Sequence, residues 1–227
     1  MSYASLIAEA SHYSPAQEAA GILFDVVGSS NWSPQFTPVY RQAGPTAWLP
    51  FSVKLVAVNW DAFTQPVPAD LLGSRNFSFA MWWRRNLLNA PQEFMFVDNV
   101  NGFWQLVPGT AIYRLQFGTT LDNGAVNDTD WHLISWGMRS SDNRQFLQID
   151  NVRTESVAST WTGWSASTIG IGQPGQALDA DIAGLLWFPR YLLQSELVDL
   201  QNGPSAPVVV GGVPRYRRSG KIRAVRR

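Results

Sequence analysis

Cysteine is absent from the 227 residues. Its absence excludes a disulfide framework, a thiolate metal site and a thiol nucleophile, and leaves apolar burial as the source of stability. Charge is scarce as well: Asp, Glu, Lys and Arg make up 15% of the chain, well under the roughly 25% of an average domain. No stretch approaches the ~18 apolar residues of a membrane-spanning helix, so no membrane insertion is expected. The first 20 residues carry no positive leader region, and Leu6-Ile7-Ala8 is too short for a signal-peptide core. The chain therefore reads as soluble and not exported, and the sequons at Asn31, Asn76 and Asn127 read as chance matches. With His12 and His132 as the two imidazoles, a histidine metal cluster is ruled out.

Aromatic residues are what the chain has in excess: Trp 11, Tyr 6 and Phe 12, with Gly 18 and Pro 14 as punctuation. That mixture suits a β-sandwich. The clearest strand is Asn76–Arg84, where Phe77, Phe79, Met81 and Trp83 alternate with smaller or polar neighbours. A second runs over Trp131–Met138, with His132, Ile134, Trp136 and Met138 on one face. Gln145–Ile149 and Val152–Val157 flank Asp150-Asn151, a pair suited to a type I′ hairpin turn. Further strands are expected at Ile22–Val27, Val53–Trp60, Glu93–Val97, Ala111–Phe117, Thr168–Ile171 and Asp181–Phe188, a spacing typical of sandwiches and barrels. Helix is confined to Leu193–Asn202, stopped by Gly203 and Pro204, and to a turn or two within Ser2–Ala10. The division expected is an N-terminal extension over 1–11, a sandwich over 12–203, and an extended linker with an Arg-rich arm over 204–227.

Four blocks in order carry a family resemblance. Tyr13 to Gly28, with Gly21, Asp25 and Gly28, is similar to an opening strand followed by Asp and Gly. Phe77-Ser-Phe-Ala-Met-Trp-Trp-Arg84 is similar to a strand written F-T-I-S-x-W-V-K/R. Trp131-His132 followed by Gln148-Ile-Asp-Asn-Val152 resembles a W-H-x-V strand and its L-Y-I-D-G-V hairpin. Asp179 to Arg190, with Leu192, Glu196 and Leu197, resembles the closing strand and helix. Together they resemble the laminin G-like and pentraxin-like branch of the concanavalin A-like lectin/glucanase superfamily, over about residues 12–202. The resemblance implies an all-β, jelly-roll sandwich of two antiparallel sheets. Asn151 replaces the usual hairpin Gly, Leu193 stands where a Ser or Thr cap is common, and Ala183-Gly184 occupy the place of an acidic pair that would bind calcium.

The resemblance leaves three chemistries to weigh. Glucanases of the superfamily use E-x-D-x-x-E, with alternate carboxylates projecting into one cleft; that motif is absent, and Asp179 and Asp181 have no third acid after them. No catalytic residue is assigned, and glycan hydrolysis is the least favoured reading. Calcium, the one conceivable cofactor, could draw on Asp122, Asn123, Asp128 and Asp130, although turn formation is the commoner use of such a cluster. Sugar binding needs exposed aromatic faces beside planar polar groups. Trp104, Trp161 and Trp164 fall in turn-rich segments and are the candidate stacking rings, whereas Trp83, Trp136 and Trp187 read as core.

The net charge of zero hides an asymmetry. Seven of the 17 basic residues, Arg215, Arg217, Arg218, Lys221, Arg223, Arg226 and Arg227, close the chain with no acid among them, leaving ten basic against 17 acidic residues before them. Such an arm is suited to docking on an acidic partner, and its arginines favour planar, multi-donor contacts. Other virion proteins or copies of the chain itself are the first expectation and nucleic acid the second, for want of a groove-reading element. The domain resembles those carried by bacteriophage structural proteins. That implies a non-enzymatic virion protein, a head decoration or tail appendage, able to meet cell-surface glycans; a free or exported lectin is the alternative.

Overall fold

The computed structural model describes residues 2–56, 59, 61–86, 93–97, 102–106, 113–117, 119–123, 128–157, 159–162, 168–172 and 179–204. Of residues 93–97, 102–106 and 117 it describes the backbone alone. The helices are α1 (Tyr3–Glu9) and α2 (Gln194–Asn202). The strands are β1 (His12–Ser14), β2 (Ser33–Gln35), β3 (Val39–Thr46), β4 (Leu49–Leu55), β5 (Ala62–Pro66), β6 (Phe77–Arg85), β7 (Glu93–Val97), β8 (Gly102–Leu106), β9 (Tyr113–Phe117), β10 (Thr119–Asn123), β11 (His132–Arg139), β12 (Arg144–Ile149), β13 (Val152–Ser156), β14 (Thr168–Ile171) and β15 (Ala180–Phe188).

Two antiparallel sheets face each other, as the alternation of apolar residues requires. One has the order β13-β12-β11-β6-β15-β4-β3 with β1 added beside β15; the other runs β10-β9-β8-β7-β14-β5-β2. Phe77, Phe79, Met81 and Trp83 of β6 and Ile134, Trp136 and Met138 of β11 enter one core with Phe63, Ile169 and Ile171 of the second sheet. The intervening residues do not face water. Ala80, Trp82, Leu133, Phe146 and Leu186 form an outer layer with Leu6 of α1 and with Leu197 and Leu200 of α2. The middle of the first sheet, β6, β11 and β15, is thus buried on both faces, which explains why β6 and β15 are apolar almost throughout. The stretch before His12, expected as an extension, contributes α1 to this outer layer.

Most of the expected strands stand within a residue or two of their places, and the departures have local causes. Ile22–Val27 is not a strand: Leu23 makes one bridge to Trp32, and the Asp25 carboxylate takes the backbone N–H groups of Val27, Gly28 and Ser30 that a ladder would need. β4 begins earlier than the expected Val53–Trp60 and ends at Leu55, where Val56 N donates to Asp61 Oδ2 instead of to a neighbouring strand; residues 57, 58 and 60 lie outside the described residues. In the β12–β13 hairpin Asp150 alone takes a left-handed φ, 51°. That is the sign pattern of a type II′ turn, in place of the expected type I′. Leu193 starts α2 without a side-chain cap, but Glu196 reaches back to accept from its N–H at 2.8 Å. Gly203 ends the helix at φ 70°, against the Trp48 ring, where a side chain would collide with the indole.

Candidate functional site

The register of three neighbouring strands assembles a cationic cleft on the outer face of the first sheet. Arg139 of β11 lies directly opposite Arg144 of β12, and Phe146 and Gln148 of β12 lie opposite Glu155 and Arg153 of β13. Residues opposite one another in an antiparallel pair share a face. Arg139, Arg144, Phe146, Arg153 and Glu155 therefore converge, and the segment after β15 adds Tyr191, Leu193 and Gln194. The cleft holds about 240 Å³.

Its floor depends on a missing side chain. Gly137 is the cross-strand partner of Phe146, and a Cβ there would lie 2.7 Å from Phe146 Cε1 and 2.5 Å from the Phe77 carbonyl oxygen. Without one, the Phe146 ring settles on the sheet with Tyr191 edge-on at 5.1 Å. The Arg153 guanidinium stacks over Phe146 at 3.8 Å and lies 4.8 Å from the Tyr191 centroid, as does that of Arg139.

Two arginines facing each other across a strand pair repel; the acids of the cleft answer this. Asp142, in the β11–β12 turn, accepts from Arg139 Nε and Nη2 at 3.0 and 2.8 Å and from Arg144 Nε at 3.1 Å. Hydrogen bonds from Arg139 above all hold its carboxyl far below the usual carboxylate range. Glu155 accepts from Arg144 Nη1, Arg153 Nε and the Tyr191 hydroxyl at 2.5, 2.6 and 2.8 Å. Burial pushes its pKa up, and these donors outweigh burial and bring it down. Burial and the Glu155 bond together push the Tyr191 phenol up to about 12, so it remains a neutral donor. Arg153 Nη1 donates to the Leu192 carbonyl at 3.0 Å.

Both histidines are bracketed by carboxylates away from this cleft. His12 Nδ1 lies 2.5 Å from Asp25 Oδ2 and its Nε2 3.0 Å from Asp70 Oδ1. His132 Nδ1 lies 2.7 Å from Asp150 Oδ2 and its Nε2 2.8 Å from Asp128 Oδ1. Asp150 Oδ1 also accepts from Leu133 N and Gln201 Nε2, both at 2.9 Å, tying the hairpin turn to β11 and α2. Burial lowers the His132 pKa, but bonds to Asp150 and Asp128 outweigh it and raise it above 6.5. A group whose folded pKa is raised adds stability that is complete below its unfolded value and lost as pH rises through the folded one. The stability difference between the wild type and His132→Gln is accordingly expected to be largest below about pH 6.5 and to shrink on alkalinisation. Urea unfolding at several pH values measures it, and a constant difference would show the ring to be uncharged throughout.

The stacking candidates fare differently. Trp161 is a core residue, not an exposed ring: it is 6% exposed and packs edge-on against Phe77 at 5.5 Å. Ser159, whose hydroxyl oxygen accepts from Trp161 N at 3.3 Å, is buried with it, so turn-rich composition here does not mean exposure. Trp104 lies in β8, paired with Met95 and Leu115, and nothing beyond its backbone is described. Trp164 and the arm from Arg215 to Arg227, with Arg217, Arg218, Lys221, Arg223 and Arg226, lie outside the described residues. Trp83, Trp136 and Trp187 are buried in the core. The acids considered for calcium are spread over separate partners: Asp122 binds Arg114, Asp128 binds His132, and Asn123 donates to the Leu147 and Val152 carbonyls. Asp181 is paired with Arg84 at 2.6 Å.

No protein-family model matches the chain, and no curated protein matches it in sequence. Solved structures do. The chain is similar to botulinum neurotoxin type C, which depends on interaction with two ganglioside molecules to get into cells, at a TM-score of 0.65 and 15% identity, over 88% of this chain and 52% of that one. It is similar to domain 4 of AbnA, a GH43 extracellular arabinanase from Geobacillus stearothermophilus solved with arabinotriose, at 0.66 and 13%, over 85% and 98%. Trypanosoma rangeli sialidase follows at 0.61 and 12%, over 85% and 32%. The chain thus spans about half of the neurotoxin chain and nearly all of the arabinanase domain. What these proteins share with it is the fold, a β-sandwich of two antiparallel sheets.

Proposed function

We propose that the chain is a non-enzymatic carbohydrate-binding module that presents one face of a rigid sandwich to a glycan. The observation that carries this reading is the cleft between β11, β12, β13 and Tyr191, where planar guanidinium and amide groups and an exposed Leu193 surround a concavity. Sugars are recognised by this combination of fixed polar groups and apolar surface. Two of the similar structures are of a protein that interacts with gangliosides and of a domain solved with arabinotriose, which supports a glycan as the ligand. Probing the full chain against an immobilised glycan collection tests it. Retention on a subset of glycans is expected, lost in Leu193→Asp, which removes the exposed apolar surface of the cleft at a helix N-cap position where Asp is well tolerated. No retention on any glycan by a folded chain would reject the reading.

The setting we propose is a virus particle, a bacteriophage head decoration or tail appendage, with the module held through Arg215–Arg227. The support is the charge division of the chain: seven cations without an acid at its end, and an excess of acid before them. Deleting residues 205–227 is expected to abolish incorporation into particles and to leave glycan retention intact. Unchanged incorporation would remove the anchoring role.

A further inference from the structure

The donor arithmetic of the cleft goes further than its shape. Asp142 and Glu155 consume two nitrogens of Arg139, two of Arg144 and one of Arg153, and the Leu192 carbonyl consumes another of Arg153. Arg139 Nη1, Arg144 Nη2 and Arg153 Nη2 then have no acceptor among the described residues. Each is an amino group with two N–H donors. Three cations also stand against two anions, so the cleft carries one positive charge in excess. The Arg153 side chain is 5% exposed, and in such low-dielectric surroundings a charge-assisted bond to its open amino group is stronger than it would be in water. Gln194 commits its amide nitrogen to the Asn151 carbonyl at 2.8 Å, leaving its oxygen to accept.

Resting on the glycan-binding reading, we infer that this cleft takes an acidic sugar, one pyranose ring whose carboxylate lies among the open amino groups of Arg139, Arg144 and Arg153. A carboxylate supplies acceptor lone pairs in the plane that guanidinium groups match, and charge-assisted bonds of this kind are about twice as strong as neutral ones. The Gln194 oxygen then accepts from a ring hydroxyl, and Leu193, 56% exposed, covers the apolar face of the ring. At about 240 Å³ the cleft is smaller than the ~300 Å³ at which pockets for drug-sized ligands begin. One ring fits, with the rest of the glycan directed into solvent. A neutral sugar would leave the surplus charge and donors unanswered.

Calorimetric titration of the full chain with four probes tests the inference. Galacturonic acid oligomers and sialyllactose represent the two common sources of a sugar carboxylate, lactose is the neutral control, and sodium sulfate is the bare anion. One acidic probe is expected to bind at least ten-fold more tightly than lactose, with affinity falling as salt is raised from 50 to 500 mM. Arg144→Gln and Arg139→Gln are each expected to weaken that binding ten-fold or more. Because Arg153 also stacks on Phe146 and holds Glu155 and the Leu192 carbonyl, the two more exposed positions, Arg139 and Arg144, carry the test, with thermal melts confirming that both variants are folded. Lactose binding as tightly as both acidic probes would overturn the acidic-sugar inference while sparing the glycan reading. Sulfate matching the acidic probes would overturn it in favour of a simple anion site. Failure of both acidic probes would end the inference, and the glycan reading would fall with it if the immobilised collection also retained nothing.

Discussion

Replacing Trp187 with alanine is expected to cost about 3–5 kcal/mol of folding stability, the range found when a large aromatic is removed from a packed core. Trp187 is 1% exposed at the centre of the sandwich. Its ring lies 4.5 Å from that of Phe79, 5.9 Å from Trp136 and 6.3 Å from Phe77, so truncation opens a cavity bordered by three rings that cannot all collapse into it. A polar loss adds to the apolar one. With the Gln65 amide oriented to satisfy both its ends, its oxygen accepts from Trp187 Nε1 at 3.0 Å and its nitrogen donates to the Ser30 carbonyl at 2.8 Å. Truncation leaves a buried amide oxygen unpaired. Trp187→Phe keeps most of the volume and loses only the indole donor, and is expected to cost markedly less. Denaturant unfolding of the two variants separates the contributions; equal losses would show that the hydrogen bond, not packing, dominates at this position.

The second large effect is expected at Asp25. Its side chain is 1% exposed and holds five donors. Oδ1 accepts from the N–H groups of Tyr13, Val27 and Gly28 at 3.0, 3.1 and 2.8 Å, and Oδ2 accepts from Ser30 N at 3.0 Å and faces His12 Nδ1 at 2.5 Å. This one carboxylate folds the loop from Gly21 to Ser30 and fastens it to β1. Asp25→Ala strands those donors and is expected to cost about 3 kcal/mol or more. The loop itself presents Ile22, Phe24, Val26 and Val27 at 40 to 61% exposure, so no apolar packing compensates. Burial raises the Asp25 pKa, yet the donors from Tyr13, His12, Gly28 and Ser30 outweigh it and hold it below 3.8. The linkage sign follows: a depressed carboxylate contributes stability above its unfolded pKa and loses it as pH falls through the folded one. The wild type is therefore expected to converge on Asp25→Ala below about pH 4. Unfolding curves at pH 7 and pH 3 check this, and a gap that stays constant would contradict the role assigned to the charge.

Strands whose two faces differ in size and polarity were legible from the residues alone. β6, β11, β12, β13 and β15 are read from their alternation, and β7 and β14 coincide with their expected limits, because inward residues such as Phe77, Phe79 and Met81 carry the period in the sequence itself. β1, β2, β3, β5, β8 and β10 were not; β1 and β2 span three residues each, too few to show a period. Gly44 and Pro45 interrupt β3, and its pairing with β4 shifts register twice, so no two-residue period survives to be read. Turn-rich composition signals irregular backbone, not exposure, so the burial of Trp161 cannot be read locally; its ring is held by Phe77, 84 positions earlier. The cleft was invisible for a related reason. Arg139, Arg144 and Arg153 look like scattered charges until the hairpin register places them on one face, and Tyr191 arrives from the segment after β15, two strands away from β11. One signal pointed there: Gly137, alone within an otherwise bulky strand, marks a close approach, and Phe146 is what approaches.

Chemical-shift mapping on the full chain, titrated with whichever acidic oligosaccharide binds, tests the central claim most directly. The account predicts that the perturbed resonances centre on Arg139, Arg144, Arg153, Leu193 and Gln194, including the guanidinium Nε signals, and that the second sheet stays silent. Perturbations gathered on β8 to β10, or none on the outer face of β11 to β13, would contradict it.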